Sequence, residues 1–406
     1  MNRTVLVMPG TKWQIPLVKK LKTKGYRVVV LDLYENQPAY AFADENRLVD
    51  ILNLEQCLKV AKELNPCAVI SDECDIAVPT VARLAECLGL KSVGIRHAEL
   101  YTNKYKMRQF AQSIGVASPA FYKCGSVDEA LKVFSDFGSK MILKPLDANS
   151  SRGVFSVNSP EDIESYFDAA VAFSKQEKSV LLEEYIEGTE FTVDGLKYQG
   201  GYIPLAISEK RHFPFNENIA CTLLFTHDNP NYDYDLLRKT NADFVEKSGL
   251  EFGLTHAEYK FKDGKFYLIE IGARGGGNYI SSIIVPFLSG IDTQGELIDW
   301  SVGEKKDGVL SLRKGFEDRC AVLDFFDSEG RSGVVQMIEG VELLTSNPTI
   351  QSYSFSFREG DRVDVAKDDS KRIGYYIACC EQSADLEKVM QDIRDGVKIH
   401  LNEEVR

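Results

Sequence analysis

One stretch near the middle of the chain constrains it most. Thr255 to Phe261 and Phe266 to Ile271 are two runs rich in aromatic and branched residues, separated by Lys262-Asp263-Gly264-Lys265. Such runs around an Asp-Gly turn signal specify a β-hairpin. Each strand carries one carboxylate, Glu258 and Glu270. Strand side chains alternate between faces, so the loop decides whether the two acids meet. A two-residue Asp263-Gly264 turn would put them on opposite faces. A three-residue loop with Gly264 in a bulge would put them on one face. Two carboxylates side by side repel unless a positive charge stands between them. A hard divalent cation such as Mg²⁺, which takes oxygen ligands, meets that need. Arg274 and Gly275-Gly276-Gly277 follow at once, a fixed positive charge beside backbone that a ligand can approach closely. Taken alone, the pattern also fits an exposed hairpin with solvated acids.

Around this hairpin lie enough residues, 406 in all, for two or three domains. A net charge of −13 argues against non-specific nucleic-acid binding, which needs a basic surface. It leaves room for a local basic pocket. The nine cysteines are irregularly spaced, with no C-x-x-C, which reads as reduced thiols in a cytoplasmic protein. The adjacent Cys379-Cys380 pair lies in a strand-like run and reads as buried. Five histidines without paired spacing argue against zinc. The start of the chain, Met1 to Met8, reads as a short strand rather than a signal peptide, and no apolar run approaches the roughly 18 residues of a membrane span.

Residues 1 to about 95 alternate strand and helix patterns, with strands at Thr4–Met8, Arg27–Leu33 and Ala68–Ser71. Helices are predicted over Trp13–Lys24, Leu54–Leu64 and Pro79–Cys87. This alternation specifies βαβ units and a parallel sheet. Pro9-Gly10-Thr11-Lys12-Trp13-Gln14 has one glycine where a dinucleotide fingerprint has three, so nicotinamide binding is not indicated. Gly10, Trp13, Gln14, Asp32 and Ser71-Asp72-Glu73 are expected to face one crevice at the strand carboxyl ends. Asn103-Lys104-Tyr105-Lys106-Met107-Arg108 then opens a helix ending at Gly115. Three basic residues in five are either an anion site or a solvated face.

Residues 118 to about 182 read as a compact α/β unit with helices at Val127–Phe137 and Glu161–Ser174. The strand Lys140–Pro145 carries Lys144 near its end, a point charge for phosphate. The small-residue loop Asp147 to Val154 can form a backbone anion nest, with Ser150 and Ser151 as hydroxyl donors. Ser179 to Asp194 reads as a strand, a bend and a second strand, whose exposed edge could hold an adenine while Glu190 takes ribose hydroxyls. A second strand pair is expected over Leu196–Ser208. Phe213–Cys221 and Thr226–Pro230 look irregular, and Tyr234–Gly249 reads as a helix. Beyond the hairpin, Thr293–Val302 is helical. Residues 306–406 form a last α/β lobe, with strands at Cys320–Phe326, Gly333–Met337 and Ile373–Ala378 and a closing helix from Asp385 to Ile399.

In order and spacing, these pieces resemble the ATP-grasp superfamily, and within it the carbamoyl-phosphate-synthetase-like branch that includes bacterial L-amino-acid ligases. The resemblance covers about residues 4 to 300. It rests on the opening α/β domain, the basic helix start, the Lys144-Pro145 strand with its small-residue loop, the Glu183-Glu184-Tyr185-Ile186 hinge and the Glu258…Glu270-x-Gly-x-Arg274 hairpin. It implies an α/β fold of three parts: a Rossmann-like pre-ATP-grasp domain over 1–103, an ATP-grasp domain over 104–305 with a lid at about 118–182, and the C-terminal lobe over 306–406. By position it implies Lys104 and Lys144 on ATP phosphates, with the loop Asn149–Val154 closing over them, Ser151 and Gly153 central. It implies Glu183, Glu184, Tyr185 and Ile186 at adenine and Glu190 at ribose. Glu258 and Glu270 would hold Mg²⁺, with Mn²⁺ the alternative, and Arg274 would hold the substrate carboxylate and then the acyl phosphate. Two departures stand out. Gly272 occupies the place where the family often has an Asn metal ligand, with Asn278 a candidate substitute, and Asn149 starts the phosphate loop where Gly is common.

The implied activity is ATP-dependent carboxylate–amine ligation by a cytoplasmic homodimer acting on small molecules, without nucleic acid or membrane. A phosphotransferase and a non-catalytic ATP-binding module are the alternatives. Substrate pockets are expected from Trp13, Asp72–Asp75, Arg211–Asn218 and Gly275–Tyr279, with Gly115 and Gly188 as hinges.

Overall fold

The computed structural model describes residues 3–148, 152–174, 177–304, 308–328, 330–366 and 369–402. The chain opens with four short strands, β1 (Thr4–Val7), β2 (Arg27–Asp32), β3 (Glu45–Leu48) and β4 (Ala68–Ile70), in the order β3-β2-β1-β4. All their pairings are parallel. Both faces are buried, so β1 and β2 are apolar runs without a polar side. Val5, Val7, Val28 and Val30 pack towards the helix Ile15–Thr23. Leu6, Val29 and Leu31 pack towards the helices Leu54–Leu64 and Val78–Leu88. The short polar strand β3, at the sheet edge, escapes the apolar-run signal.

A second sheet holds β5 (Phe121–Cys124), β6 (Met141–Pro145), β7 (Phe155–Val157) and β8 (Val180–Glu184), antiparallel in the order β5-β8-β6-β7. Two helices cover it, Val127–Phe137 and Pro160–Phe173, through Ala130, Ile163, Phe167 and Ala170. Ser126 and Ser159 cap their first turns, and Asp162 completes a capping box with Ser159.

The central sheet has eight strands. Five come first in sequence: β9 (Thr189–Tyr198), β10 (Gly201–Phe213), β11 (Asn216–Thr226), β12 (Gly253–Lys262) and β13 (Lys265–Gly272). The C-terminal part adds β14 (Cys320–Phe325), β15 (Gly333–Glu339), β16 (Ile350–Phe355), β17 (Arg362–Val363), β18 (Gly374–Cys380) and β19 (Lys398–Asn402). The order β13-β12-β9-β10-β11-β14-β18-β16 shows that β14, β16 and β18 of the C-terminal part join the same sheet. Only β17-β15-β19 form a separate small sheet. Phe191, Val193, Tyr259 and Leu268 pack on one face with the helices Lys104–Ile114 and Tyr234–Ser248. Leu196, Leu223, Leu323 and Ile377 pack on the other with Ile280 to Leu288.

Two expectations fail here. Phe213–Cys221 is not irregular: β10 and β11 form a long hairpin through it, with register shifts at Arg211 to Phe213. Those bulges break the period-two pattern that would have marked a strand. The closing helix, Ser383–Gly396, stops short of Ile399, and β19 follows at once to pair with β15. Among the described residues, no helix is long and apolar enough to cross a membrane.

Candidate functional site

The β12–β13 hairpin closes through a two-residue turn, with Asp263 at φ 49° and Gly264 at φ 75°. Both are left-handed, as the hairpin-matched turn requires. By parity this turn should separate the two acids. It does not, because Tyr259 pairs with Leu268 while Glu258 pairs with Glu270. Ile269 is one extra residue, a β-bulge that flips every position beyond it. Glu258 and Glu270 therefore stand opposite each other on one face. The carbonyl of Ile269 accepts a hydrogen bond from Arg108 Nη2 at 2.5 Å.

Both acids open into a cavity of about 610 Å³ between the first two sheets and the central one. Their side chains are 29% and 35% exposed, and each has a lysine against one oxygen. Lys210 on β10 lies 3.0 Å from Glu258 Oε1, and Lys104 Nζ donates to Glu270 Oε1 at 2.8 Å. Lys104 also donates to Ala148 O at 2.6 Å. Its helix is capped by Asn103, whose side chain accepts from Lys106 N. Helical spacing turns Lys104 and Arg108 inward, while Lys106 points out to Glu99. The basic run is thus two buried cations and one solvated one.

Lys144 on β6 and Glu183 on β8 face each other at 2.5 Å, and Arg108 Nε lies 2.7 Å from the other Glu183 oxygen. All three are buried. Burial alone would raise the Glu183 carboxyl, but Arg108 and Lys144 outweigh it and hold it below the carboxylate range. Burial lowers the Lys144 ammonium, aided by Arg108 and Lys104, more than Glu183 restores it. The Glu183 carboxylate is therefore shared between two cations. Beside it, Glu184 accepts from Ala120 N, and Ile186 is buried on the cavity wall. The Tyr185 ring lies under Lys140 and Lys260, and its hydroxyl donates to Glu217.

Glu190 on β9 is also more engaged than expected. It pairs with Lys210, and His212 Nε2 lies 3.2 Å away. Burial opposes its ionisation, but Lys210 and His212 prevail and hold the carboxyl far below its ordinary value. Val154 lines the cavity, and Gly153, at φ 72°, packs on Phe173. Ser150 and Ser151, with Asn149, lie outside the described residues.

Arg274 is held bidentately by Asp75, at 2.9 Å from Nε and 2.7 Å from Nη2. Burial opposes the charge on both, yet each stabilises the other: Asp75 falls below its ordinary value and Arg274 rises. The pair explains Gly272. A Cβ there would stand 2.8 Å from Asp75 Oδ1 and 3.4 Å from Arg274 Nε, so a side chain and this ion pair compete for one space. Asn278, at φ 56°, also lines the cavity, and Tyr279 beside it is left-handed too. Two such residues in a row mark stored strain of the kind found at functional loops.

Of the expected N-terminal crevice, only Trp13 and Glu73 reach this cavity. Asp32 accepts from Gly10 N and Tyr34 N, and Gln14 donates to Asp72 O, so these residues brace the loop instead. Sequence reasoning missed Lys210, the pairing of Asp75 with Arg274 and the buried contact of His256 Nδ1 with Asp194 at 2.9 Å. Lys210 and His212 share one face of β10, a period-two signal hidden by ending that strand at Ser208.

The ATP-grasp domain family matches residues 137–282, which include the paired acids and the lysine strand. The family of L-amino acid ligase C-terminal domain 2 matches residues 328–402. The chain carries both an ATP-grasp domain and an L-amino acid ligase C-terminal domain. It is 30% identical over 203 residues to formate-dependent phosphoribosylglycinamide formyltransferase of Prochlorococcus marinus, 49% of this chain and 52% of that protein. It is 27% identical over 311 residues to alanine–anticapsin ligase of Bacillus subtilis, 70% of this chain and 64% of that one. The matched part is thus less than two thirds of either relative. L-amino acid ligase from Bacillus licheniformis has the same fold, with a TM-score of 0.81, 20% identity and 99% of each chain covered. The biotin carboxylase domain of Hydrogenobacter thermophilus 2-oxoglutarate carboxylase, solved as a dimer with MgADP, has it too, at a TM-score of 0.74 and 17% identity over 99% of this chain and 91% of that one.

Proposed function

We propose that this protein is an ATP- and Mg²⁺-dependent carboxylate–amine ligase that forms an amide or peptide bond through an acyl phosphate. The observation that carries the reading is the bulge-aligned pair Glu258 and Glu270, which share one cavity with Lys104 and Lys144. Among the described residues there is no group of three acids, histidines or cysteines that would cage a metal by itself. Two opposed carboxylates suit Mg²⁺, which is usually held by one or two acids with substrate phosphates and water completing its shell. Each acid keeps one oxygen away from its lysine, so both have a lone pair to offer. When bound, the ion would draw charge from the transferring phosphoryl group.

The chain's own residues do the rest in this reading. Attack by a carboxylate on the γ-phosphate brings anion to anion, and Lys104, Lys144 and Arg274 offset that repulsion. Lys144 and Arg108 are clamped by Glu183, which preorganises the lysine. Asp75 orients Arg274 towards the cavity. Tyr185 and Ile186 line the adenine side, and Glu190 fixes Lys210 at the ribose side. The β5–β8 unit acts as the lid that keeps water from the acyl phosphate, with units 1–103, 104–305 and 306–406 as the working divisions. The cysteines are all free thiols, consistent with a reducing cytoplasm. A homodimer is part of the proposal, as one structure of the same fold is described as a dimer.

The test is phosphate release from ATP and Mg²⁺ against amino acids, singly and in pairs, with mass spectrometry of the products. Release that depends on a pair, with a product lighter than the pair by one water, supports the ligase. Phosphate retained on a product would replace it with a phosphotransferase. Glu270→Gln should abolish turnover, and near-intact turnover would sink the metal assignment.

A further inference from the structure

The cavity extends past the paired acids to a wall of aromatic rings. Trp13 and Tyr279 meet edge to face at 4.9 Å, and Tyr375 of β18 lies 5.9 Å from Trp13. The loop bearing Trp13 is tied down, since the Tyr279 hydroxyl donates to Lys12 O and Gln14 Nε2 to Asp72 O. Into this wall projects Lys12, its ammonium 4.4 Å from the Trp13 ring centre and 5.3 Å from that of Tyr375.

The charges around it are uneven. Lys104, Lys144, Lys210, Arg274 and Arg372 each have a carboxylate partner within the cavity. Lys260 lends its charge to Glu190 and Glu217. Among the described residues, no carboxylate stands within ion-pair distance of Lys12. Burial pulls its ammonium below the usual lysine value, with no acid opposing the shift. Glu73, on the same wall, accepts from Tyr279 N and Ser282 Oγ, and burial beside Asp72 favours its protonated form. A half-buried ammonium that has lost water without gaining an anion is costly, and it is the group a bound anion relieves. The aromatic faces offset part of that cost.

We propose that Lys12 is the specificity determinant of the amine substrate and receives its non-reacting carboxylate, while the apolar part of that substrate lies against Trp13 and Tyr375. This rests on the ligase reading, in which the reacting carboxylate belongs to the other substrate and lies at Lys104, Lys144 and the paired acids. The amine substrate is then an amino acid with a free α-carboxylate and an apolar side chain.

The test is isothermal titration of the full chain, with Mg²⁺ and a non-hydrolysable ATP analogue, using L-phenylalanine, L-leucine and L-methionine and the carboxamide of each. At least one acid should bind about tenfold or more tightly than its amide, the scale of a charge-assisted hydrogen bond. In Lys12→Met the preference should fall to near one, with the affinity for the analogue unchanged. Lys12→Arg should keep most of it. Equal binding of acid and amide to the native chain would overturn the proposal. So would a preference that persists in Lys12→Met, or no binding of any acid beside the analogue. Phosphate release tests the ligase reading separately. Ligation of amides as efficient as that of acids would refute Lys12 alone, and Lys12-dependent binding without ligation would refute the ligase while leaving the carboxylate site.

Discussion

Replacing Glu183 by glutamine probes the most deeply buried charge cluster of the site. Glu183 is 2% exposed, Arg108 0% and Lys144 5%, so water screens none of them. The substitution keeps the shape and removes the one anion between two cations. Breaking a buried pair in this way costs about 3–5 kcal/mol, because the remaining charges are uncompensated. Lys144 already titrates low, so part of that cost is relieved by its losing its proton. The lower end, about 3 kcal/mol, is the expected value. The damage should be local to β6 and β8, which Lys144 and Glu183 join. Native-state hydrogen exchange read by mass spectrometry reports opening of those strands directly. At about 1.4 kcal/mol per tenfold, their amides should exchange at least a hundredfold faster, up to the limit set by global unfolding. Amides of β1 and β2 should be unaffected. The Glu183 carboxyl is depressed in the folded state, so its stabilisation is present above its unfolded value of about 4.3 and is lost as pH falls through the folded one. The difference between native and variant chains should therefore shrink in acid. Exchange within about fivefold of native at neutral pH would refute the clamp.

Gly272→Asn introduces the residue type that the family resemblance leads one to expect at that position. Its Cβ would press on Asp75, so unfolding in urea should show a loss of about 1–3 kcal/mol, the cost of overpacking, without tighter Mn²⁺ binding. Unchanged stability with a gain in metal affinity would mean that the ion pair does not fill the space. Glu190, depressed mainly by Lys210 and then His212 against burial, stabilises the fold above its unfolded value of about 4.3. The stability gap between native and Glu190→Gln chains should close as pH falls from about 5, and a gap constant from pH 6 to pH 3.5 would contradict this.

Much of the chain was legible in local pattern. The helices Leu54–Leu64 and Val127–Phe137 lie where periodicity and caps put them, because those signals act within a few residues. The lysine strand, the Glu183–Ile186 hinge and the acid hairpin were visible as motifs for the same reason, and they do converge on one cavity. Glu183 shows the limit of motif reading. Its place in the hinge is a local pattern, but its pairing with Arg108, 75 positions earlier in the chain, is not.

The sequence by itself determined most of the strands and helices, with β3, the β10–β11 hairpin and β19 among the exceptions, and that two carboxylates share a hairpin. Whether those acids meet was decided by Ile269, one bulged residue whose carbonyl is satisfied by Arg108. The same holds for Asp75 with Arg274, 199 positions apart, and for the space that leaves Gly272 without a side chain. Alternation and capping are properties of neighbouring residues. Register, charge pairing and the sharing of buried volume depend on elements distant in the chain, and only their packing settles which partner each buried charge obtains.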